Sequence, residues 1–188
     1  MKNFGFMQGR LVSQEKGKIQ SFPWKKWKSE FSIGNRIGLN LMEWTLDHKK
    51  FYDNPINNHS GRKLIKFLKN KYKIQIKSVT CDFFMQSPYF LKKNIKTLQM
   101  LKDLIINANK LKIKFLILPL VDNGSLKSKK YEKNFINTTL KLCKKLKDNN
   151  MKIIFESDFE PSKLLAFIKK FPKKTFGINY DSGNSAGN

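Results

Sequence analysis

The sequence predicts an α/β fold in which parallel strands alternate with helices that cover the sheet. Three observations support this prediction. Short apolar runs of strand type alternate with segments whose apolar residues recur at helical spacing. The strand runs occur six times, and five helical segments separate them. A polar or acidic residue stands at the end of nearly every predicted strand, and in a parallel sheet these ends share one edge.

The six strands are predicted from runs rich in β-branched and aromatic residues. They span 2–7, 37–44, 74–83, 115–121, 151–158 and 176–181. Polar side chains end these runs and are candidates for function, because ligand sites of such sheets lie at the carboxyl ends of the strands. In chain order they are Gln8 and Arg10, Glu43, Asp82, Asp122 and Asn123, Glu156 and Asp158, and Asp181 and Asn184.

The helices between these strands are predicted from apolar spacing and from helix start and stop signals. The first opens at Phe22-Pro23, where proline near the first turn loses no hydrogen bond. Ser60 is expected to cap the second helix, which spans 61–72. The third, fourth and fifth helices span 88–111, 130–148 and 161–171.

The net charge of +24 does not by itself identify a partner. Only three of the 38 basic residues are arginines, and lysines occur on almost every predicted helix. A nucleic-acid surface usually brings arginine and aromatic residues together on one face. A solvated, lysine-coated exterior is therefore the preferred interpretation, with nucleic-acid binding as the alternative. No apolar run reaches the ~20 residues of a membrane span, so no membrane partner is expected.

The N-terminus, the cysteines and the histidines suggest an ordinary intracellular domain. Residues 1–6 lead directly into strand-like sequence without the apolar stretch of a signal peptide, which predicts a cytoplasmic protein. Cys81 and Cys143 are expected to be buried thiols. His48 and His59 lie in one loop without a second ligand three or four residues away, so solvated histidines are favoured over metal ligands.

Six such strands fit either a barrel or an open doubly wound sheet. The first turn, 7–10, lacks the Gly-rich phosphate fingerprint of doubly wound folds, and acids at nearly every strand tip favour a ring. An eight-unit barrel needs about 250 residues. We therefore predict a (β/α)8 TIM barrel truncated after about six parallel strands, with one domain over 1–188 that is incomplete at its C-terminus. The unpaired edge of the sixth strand could pair with a second copy of the chain, so a homo-oligomer is a further expectation.

Glu156 and Asp181 are the candidate centre of function. The apolar run 153–155 leads directly into Glu156, and ionised glutamate is almost never buried without a compensating partner. The run 176–180 is again strand-like and ends in Asp181. If the two strands are parallel neighbours, both carboxylates project from one edge and can share a divalent cation. A structural role for the pair is the alternative.

Six short motifs occur in order and at strand ends: MQGRL (7–11), MEWT (42–45), SVTCDF (78–83), LPLVD (118–122), FESD (155–158) and NYDSGN (179–184). Together they resemble the sugar phosphate isomerase/epimerase group of the xylose isomerase-like TIM barrels, a superfamily that also includes endonuclease IV. The resemblance covers essentially the whole chain.

This resemblance implies a divalent metal, commonly Mn, Mg, Zn or Co. In the family, Glu on the fifth strand, Asp on the sixth, His on the seventh and Glu on the eighth hold it. Glu156 and Asp181 match the first two by position, and the other two ligands have no counterpart in the sequence. The two Glu ligands also move the proton at the carbon being inverted. Glu156 would therefore be one half of an acid/base pair.

The same resemblance suggests a small-molecule partner, a sugar or sugar phosphate. We expect five strand-end residues around it: Gln8, Arg10, Glu43, Asp82 and Asn123. Arg10 is the preferred anion contact because of its planar fork. For each residue, a loop-ordering hydrogen bond is the alternative. The predicted activity is an isomerase or epimerase; a nucleic-acid-binding or endonuclease IV-like protein and a non-catalytic fragment are the alternatives.

Overall fold

Six parallel strands form one sheet in chain order. The computed structural model describes residues 4–17, 21–91 and 95–182. Its strands are β1 (Gly5–Met7), β2 (Leu41–Thr45), β3 (Gln75–Thr80), β4 (Phe115–Leu120), β5 (Lys152–Ser157) and β6 (Phe176–Ile178). Each strand pairs in parallel with the next one along the chain, from β1 to β6. The alternation of parallel strands and helices is as predicted.

Helices connect the strands. In the described ranges they are α1 (Ser29–Arg36), α2 (His59–Tyr72), α3 (Asp82–Gln86), α4 (Ile95–Asn109), α5 (Lys129–Leu140), α6 (Cys143–Asp148) and α7 (Pro161–Ile168). None of the helices described is both long enough and apolar enough to cross a bilayer.

The first helix begins later than predicted. After Pro23 the chain forms tight turns, in which the backbone nitrogens of Lys26 and Trp27 bond to the Pro23 carbonyl at 2.9 and 2.8 Å. The regular helix α1 starts only at Ser29. The second strand also starts later than predicted, at Leu41, because 37–40 form the turn that ends α1.

The second helix is capped by Asn58 rather than by Ser60. The side-chain oxygen of Asn58 accepts a hydrogen bond from the backbone N–H of Gly61 at 2.7 Å, and α2 starts at His59. The Ser60 hydroxyl instead donates to the same Asn58 oxygen at 3.1 Å. Asparagine is at least as good an N-cap as serine, and here it stands one residue before the helix.

The predicted helix over 130–148 is interrupted after Leu140. The hydroxyl of Thr139 donates to the Phe135 carbonyl at 2.6 Å, a bond to residue i−4 that bends helices. The buried hydroxyl of Tyr89 lies 2.5 Å from the same Thr139 oxygen. Leu142 then bonds to the Thr139 carbonyl at 3.0 Å in a tight turn, and α6 begins at Cys143.

Other predicted boundaries shift by a few residues. The strand over 74–83 ends at Thr80, because Asp82 already opens α3. The helix over 88–111 is described from Ile95, and 92–94 lie outside the described residues. The sixth strand ends at Ile178, three residues before Asp181. The turn residues Gly183 and Asn184 also lie outside the described part.

One face of the sheet is buried beneath the helices. Trp44 and Phe155 are 0% exposed on it. The Phe155 ring centroid lies 5.6 Å from that of Phe135 on α5 and 5.4 Å from that of Phe167 on α7. Alternate residues point to the opposite face, which we call the inner face. Its polar members include Glu43, Ser78, Thr80, Glu156 and Asn179.

Candidate functional site

The predicted site residues lie at or just beyond the carboxyl ends of the strands. Since all six strands are parallel, these ends form one edge of the sheet, which we call the carboxyl edge. Glu43 and Glu156 lie within β2 and β5. The others follow their strands: Gln8 and Arg10 after β1, Asp82 after β3, Asn123 after β4 and Asp181 after β6.

Glu156 is bound to the neighbouring strand through Asn179. The backbone N–H of Asn179 bonds to the Phe155 carbonyl at 2.8 Å and continues the β5–β6 ladder. Its side-chain amide donates to Oε2 of Glu156 at 3.0 Å. Sequence reasoning did not single out Asn179. The available signal was its position two residues before Asp181, which gives the two side chains the same direction along a strand.

Asp181 is half-buried beyond the end of β6. It lines a cavity of about 480 Å³ between α7 and the β6 segment, and Asn179, Tyr180 and Ser157 also line this cavity. Glu156 is not among its lining residues. Asn179 therefore lies between the two predicted ligands: it donates a hydrogen bond to Glu156 and lines the same cavity as Asp181. Joint cation binding by Glu156 and Asp181 stays a prediction.

Glu43 is held by two hydroxyl groups from the next strand. Ser78 donates to its Oε2 at 2.6 Å, and Thr80 donates to its Oε1 at 2.5 Å. The β2–β3 register shifts between Met42 and Glu43, and this shift brings Ser78 opposite Glu43. Both bonds lie at the short end of the range for O–H···O hydrogen bonds. The two hydroxyls were also missed, although alternate Ser and Thr in one strand are the pattern that places both on one face.

Gln8 joins the ends of β1 and β2. It is 1% exposed, and its side-chain oxygen accepts from the Thr45 backbone N–H at 3.2 Å. The Thr45 hydroxyl donates to the Gln8 carbonyl at 3.0 Å, and the Gln8 backbone N–H donates to the Glu43 carbonyl at 2.9 Å. These bonds give Gln8 a role in fixing the carboxyl edge. Sugar contact by this residue stays a prediction.

Asp82 lies in a buried environment at the start of α3. It is 2% exposed, and the adjacent Cys81 is 0% exposed. Burial raises the pKa of the Cys81 thiol, and the charges of Asp82 and Glu43 raise it further. Cys81 is thus the buried thiol that the sequence predicted, and a raised pKa makes a thiol less reactive. The same prediction is wrong for Cys143, which is only partly buried.

Arg10 is exposed on a loop that a buried glutamate holds in place. Glu30, 0% exposed on α1, accepts the backbone N–H groups of Gly9 and Leu11 on one oxygen, at 2.7 and 3.2 Å. Burial raises the pKa of Glu30 to about 7, although both backbone hydrogen bonds act to lower it. Sequence reasoning missed Glu30 because its partners are about twenty residues away.

Asn123 is exposed in the turn that follows β4, next to Asp122, whose φ is +50°. His48 follows β2, and His59 is the exposed first residue of α2.

Within the described ranges, no three Asp, Glu, His or Cys side chains group closely enough to hold a metal ion. The carboxylates of Glu156 and Asp181 have the donor chemistry that hard divalent cations prefer, but they are two donors rather than a complete set.

Neither a family model nor a curated protein sequence matches the chain. Solved structures do match. A sugar phosphate isomerase/epimerase from Parabacteroides distasonis aligns over 99% of this chain and 67% of its own, with a TM-score of 0.69 and 11% identity. A D-psicose 3-epimerase with D-tagatose from Clostridium cellulolyticum aligns over 95% and 62%, with a TM-score of 0.67 and 14% identity.

A third match is a xylose isomerase-like TIM barrel protein from Mycobacterium smegmatis in complex with magnesium. It aligns over 90% of this chain and 60% of its own, with a TM-score of 0.65 and 16% identity. These matches confirm the predicted fold, parallel strands that alternate with helices as in part of a TIM barrel. The chain spans about 60 to 67% of the length of these three structural neighbours.

Proposed function

We propose that residues 1–188 belong to one barrel domain of a metal-dependent sugar or sugar phosphate isomerase or epimerase. The observation that carries the proposal is the contact between Glu156 and Asn179 at the carboxyl edge, with Asp181 two residues further along. It occurs in a fold whose solved neighbours include a sugar phosphate isomerase/epimerase and a sugar epimerase. Action in the cytoplasm and self-association are further parts of this hypothesis.

Glu156 and Asp181 would hold the divalent cation, Mn, Mg, Zn or Co. When bound, such a cation stabilises the negative charge that develops on the oxygens of a carbonyl substrate after proton removal. One neighbour of the same fold was solved with magnesium, which agrees with oxygen ligands of this kind. The remaining ligands of a complete site would come from two further βα units, as the family pattern implies.

Glu156 would also accept the proton from the carbon next to the substrate carbonyl. A carboxylate can act as base only if it is directed at that carbon, and the amide of Asn179 fixes the direction of the Glu156 carboxylate. Return of a proton to the same face of the same carbon gives exchange with solvent, and its delivery to the neighbouring carbon gives isomerisation. Inversion requires a second acid on the other face of the carbon.

The other strand-end residues would bind or position the sugar. Glu43, oriented by two hydroxyls, would accept a hydrogen bond from a sugar hydroxyl. Arg10 and Asn123 are exposed and would contact polar or phosphate groups. Gln8 and Asp82, which are nearly inaccessible, would act by holding the loops that carry these contacts.

A titration with Mn²⁺ tests the metal part of the proposal. Glu156→Gln and Asp181→Asn should each weaken binding about 10-fold or more, because each replaces a charged oxygen ligand by a neutral amide. Asp53→Asn and Asp148→Asn remove the same charge at exposed positions that do not line the Asp181 cavity, and they should leave the affinity unchanged. Equal affinity of all five proteins would overturn this assignment.

Solvent deuterium exchange into D-tagatose tests the chemistry. The chain alone and a chimaera carrying the last two βα units of a solved neighbour are compared, both with Mn²⁺. We expect exchange by the chimaera and its loss in the chimaera with Glu156→Gln. Exchange that persists in that variant excludes Glu156 as the base.

A further inference from the structure

A lysine-lined cavity opens at the amino edge of the sheet, opposite to the candidate active site. It has a volume of about 340 Å³ and lies where β4, β5 and the segment before β6 begin. Lys114, Lys147, Lys152 and Lys174 line it together with Phe115. In barrels of this kind the catalytic groups lie at the carboxyl ends of the strands. Any ligand of this cavity is therefore separate from the proposed reaction.

The four lysines come from four different segments that the sheet brings together. The backbone N–H of Lys152 donates to the Lys114 carbonyl at 2.8 Å, so the two residues are neighbours across β4 and β5. Lys147 is in the last turn of α6, and Lys174 lies just before β6. The convergence is thus a consequence of the parallel topology rather than of a lysine run in the sequence.

The cavity carries positive charge without an internal counter-charge. None of the described residues that line it is acidic. Lys152 is half-buried as a residue, and its ammonium group donates an exposed hydrogen bond to the backbone carbonyl of Lys173 at 3.3 Å. Positively charged side chains that line one cavity repel each other, and a bound anion of high charge relieves that repulsion.

We propose that this lysine cavity binds a polyphosphate group, as in pyrophosphate or a nucleoside triphosphate. Lysine binds phosphate as a compact point charge, and the volume is that of a small-ligand site. Phe115 is 37% exposed at the cavity and offers an apolar ring against which a nucleobase can stack. The inference does not depend on the proposed isomerase or epimerase activity.

Calorimetric titration with inorganic pyrophosphate tests the proposal. The double variant Lys114→Gln/Lys152→Gln should bind at least about tenfold more weakly than the wild-type chain, since two cavity charges are lost. A second pair, Lys147→Gln/Lys174→Gln, alters only exposed side chains and should weaken binding similarly. The matched control, Lys63→Gln/Lys66→Gln on exposed positions of α2, removes the same charge and should change affinity less than about twofold.

Three outcomes would overturn the proposal. The first is the absence of pyrophosphate binding at low salt, and the second is equal weakening by cavity and control variants, which indicates a general basic surface. The third comes from titrations with ATP and with a single-stranded oligothymidylate. If only the oligonucleotide binds, and the cavity variants weaken that binding, the ligand is a nucleic-acid strand and not a polyphosphate. Binding of pyrophosphate and ATP that depends on the cavity lysines supports the polyphosphate site.

Discussion

The side-chain amide of Asn179 donates a 3.0 Å hydrogen bond to Oε2 of Glu156 across the β5–β6 pair. The two residues are 23 positions apart in sequence, and the parallel pairing of the two strands brings them together. A neutral donor that orients a carboxylate is a common companion of metal-binding and proton-transferring acids.

Asn179→Ala should weaken Mn²⁺ binding by about 10-fold to 100-fold, because the Glu156 carboxylate loses the donor that fixes its direction. The measurement is the same titration as for the ligand variants. Asn70→Ala, at an exposed position of α2, is the control and should bind Mn²⁺ like the wild-type chain. Unchanged affinity in Asn179→Ala would mean that the contact is only structural.

Glu30 should make the free energy of unfolding depend on pH. Its pKa is raised from 4.5 to about 7 by burial, so the folded state binds this proton more tightly than the unfolded state does. The stability it contributes is therefore greatest below pH 4.5 and is lost as pH rises toward 7, by up to ~3 kcal/mol.

Urea unfolding of the wild-type chain and of Glu30→Gln across this pH range checks the Glu30 prediction. As pH rises, the free energy of unfolding of the wild-type chain should fall relative to that of Glu30→Gln. Glu160→Gln, which alters an exposed carboxylate, should give a difference that is much flatter with pH. The same flat difference for Glu30→Gln would contradict the assignment of the raised pKa.

Gly9→Ala should destabilise the chain more than Gly38→Ala. Both glycines have positive φ, +93° and +80°, so both substitutions incur a backbone cost of about 1–2 kcal/mol. At position 9 the new Cβ would also lie 2.8 Å from the Ser21 carbonyl oxygen, whereas at position 38 nothing lies within 4 Å. Chemical unfolding measures the loss in free energy of unfolding for each variant, and the difference between the two losses is the steric contribution at Gly9. Equal losses would exclude a steric contribution.

Thr80→Val should lower the free energy of unfolding by about 1–3 kcal/mol, because Glu43 loses one of two donors while the side-chain volume is kept. Thr80→Ser keeps the hydroxyl and loses one buried methyl group, which costs about 0.8 kcal/mol. Urea unfolding compares the two. A larger loss for Thr80→Ser would show that packing rather than the hydrogen bond to Glu43 matters at this position.

The parallel α/β architecture follows from the sequence because periodicity and strand-end polarity are local properties. Apolar runs such as 115–121 and 151–155 read as buried strands without knowledge of their neighbours. Element boundaries were less predictable. The break after Leu140, for example, depends on the Thr139 hydroxyl and on Tyr89, fifty residues away.

The sequence by itself determined the parallel α/β architecture and the placement of the candidate acids at the carboxyl edge of the sheet. Only the tertiary structure decided which polar group each acid meets: Asn179 for Glu156, Ser78 and Thr80 for Glu43, and the Gly9 and Leu11 amides for Glu30. The physical reason is that side-chain direction is set within a strand, whereas hydrogen-bond partners come from other segments, whose register a local pattern does not contain.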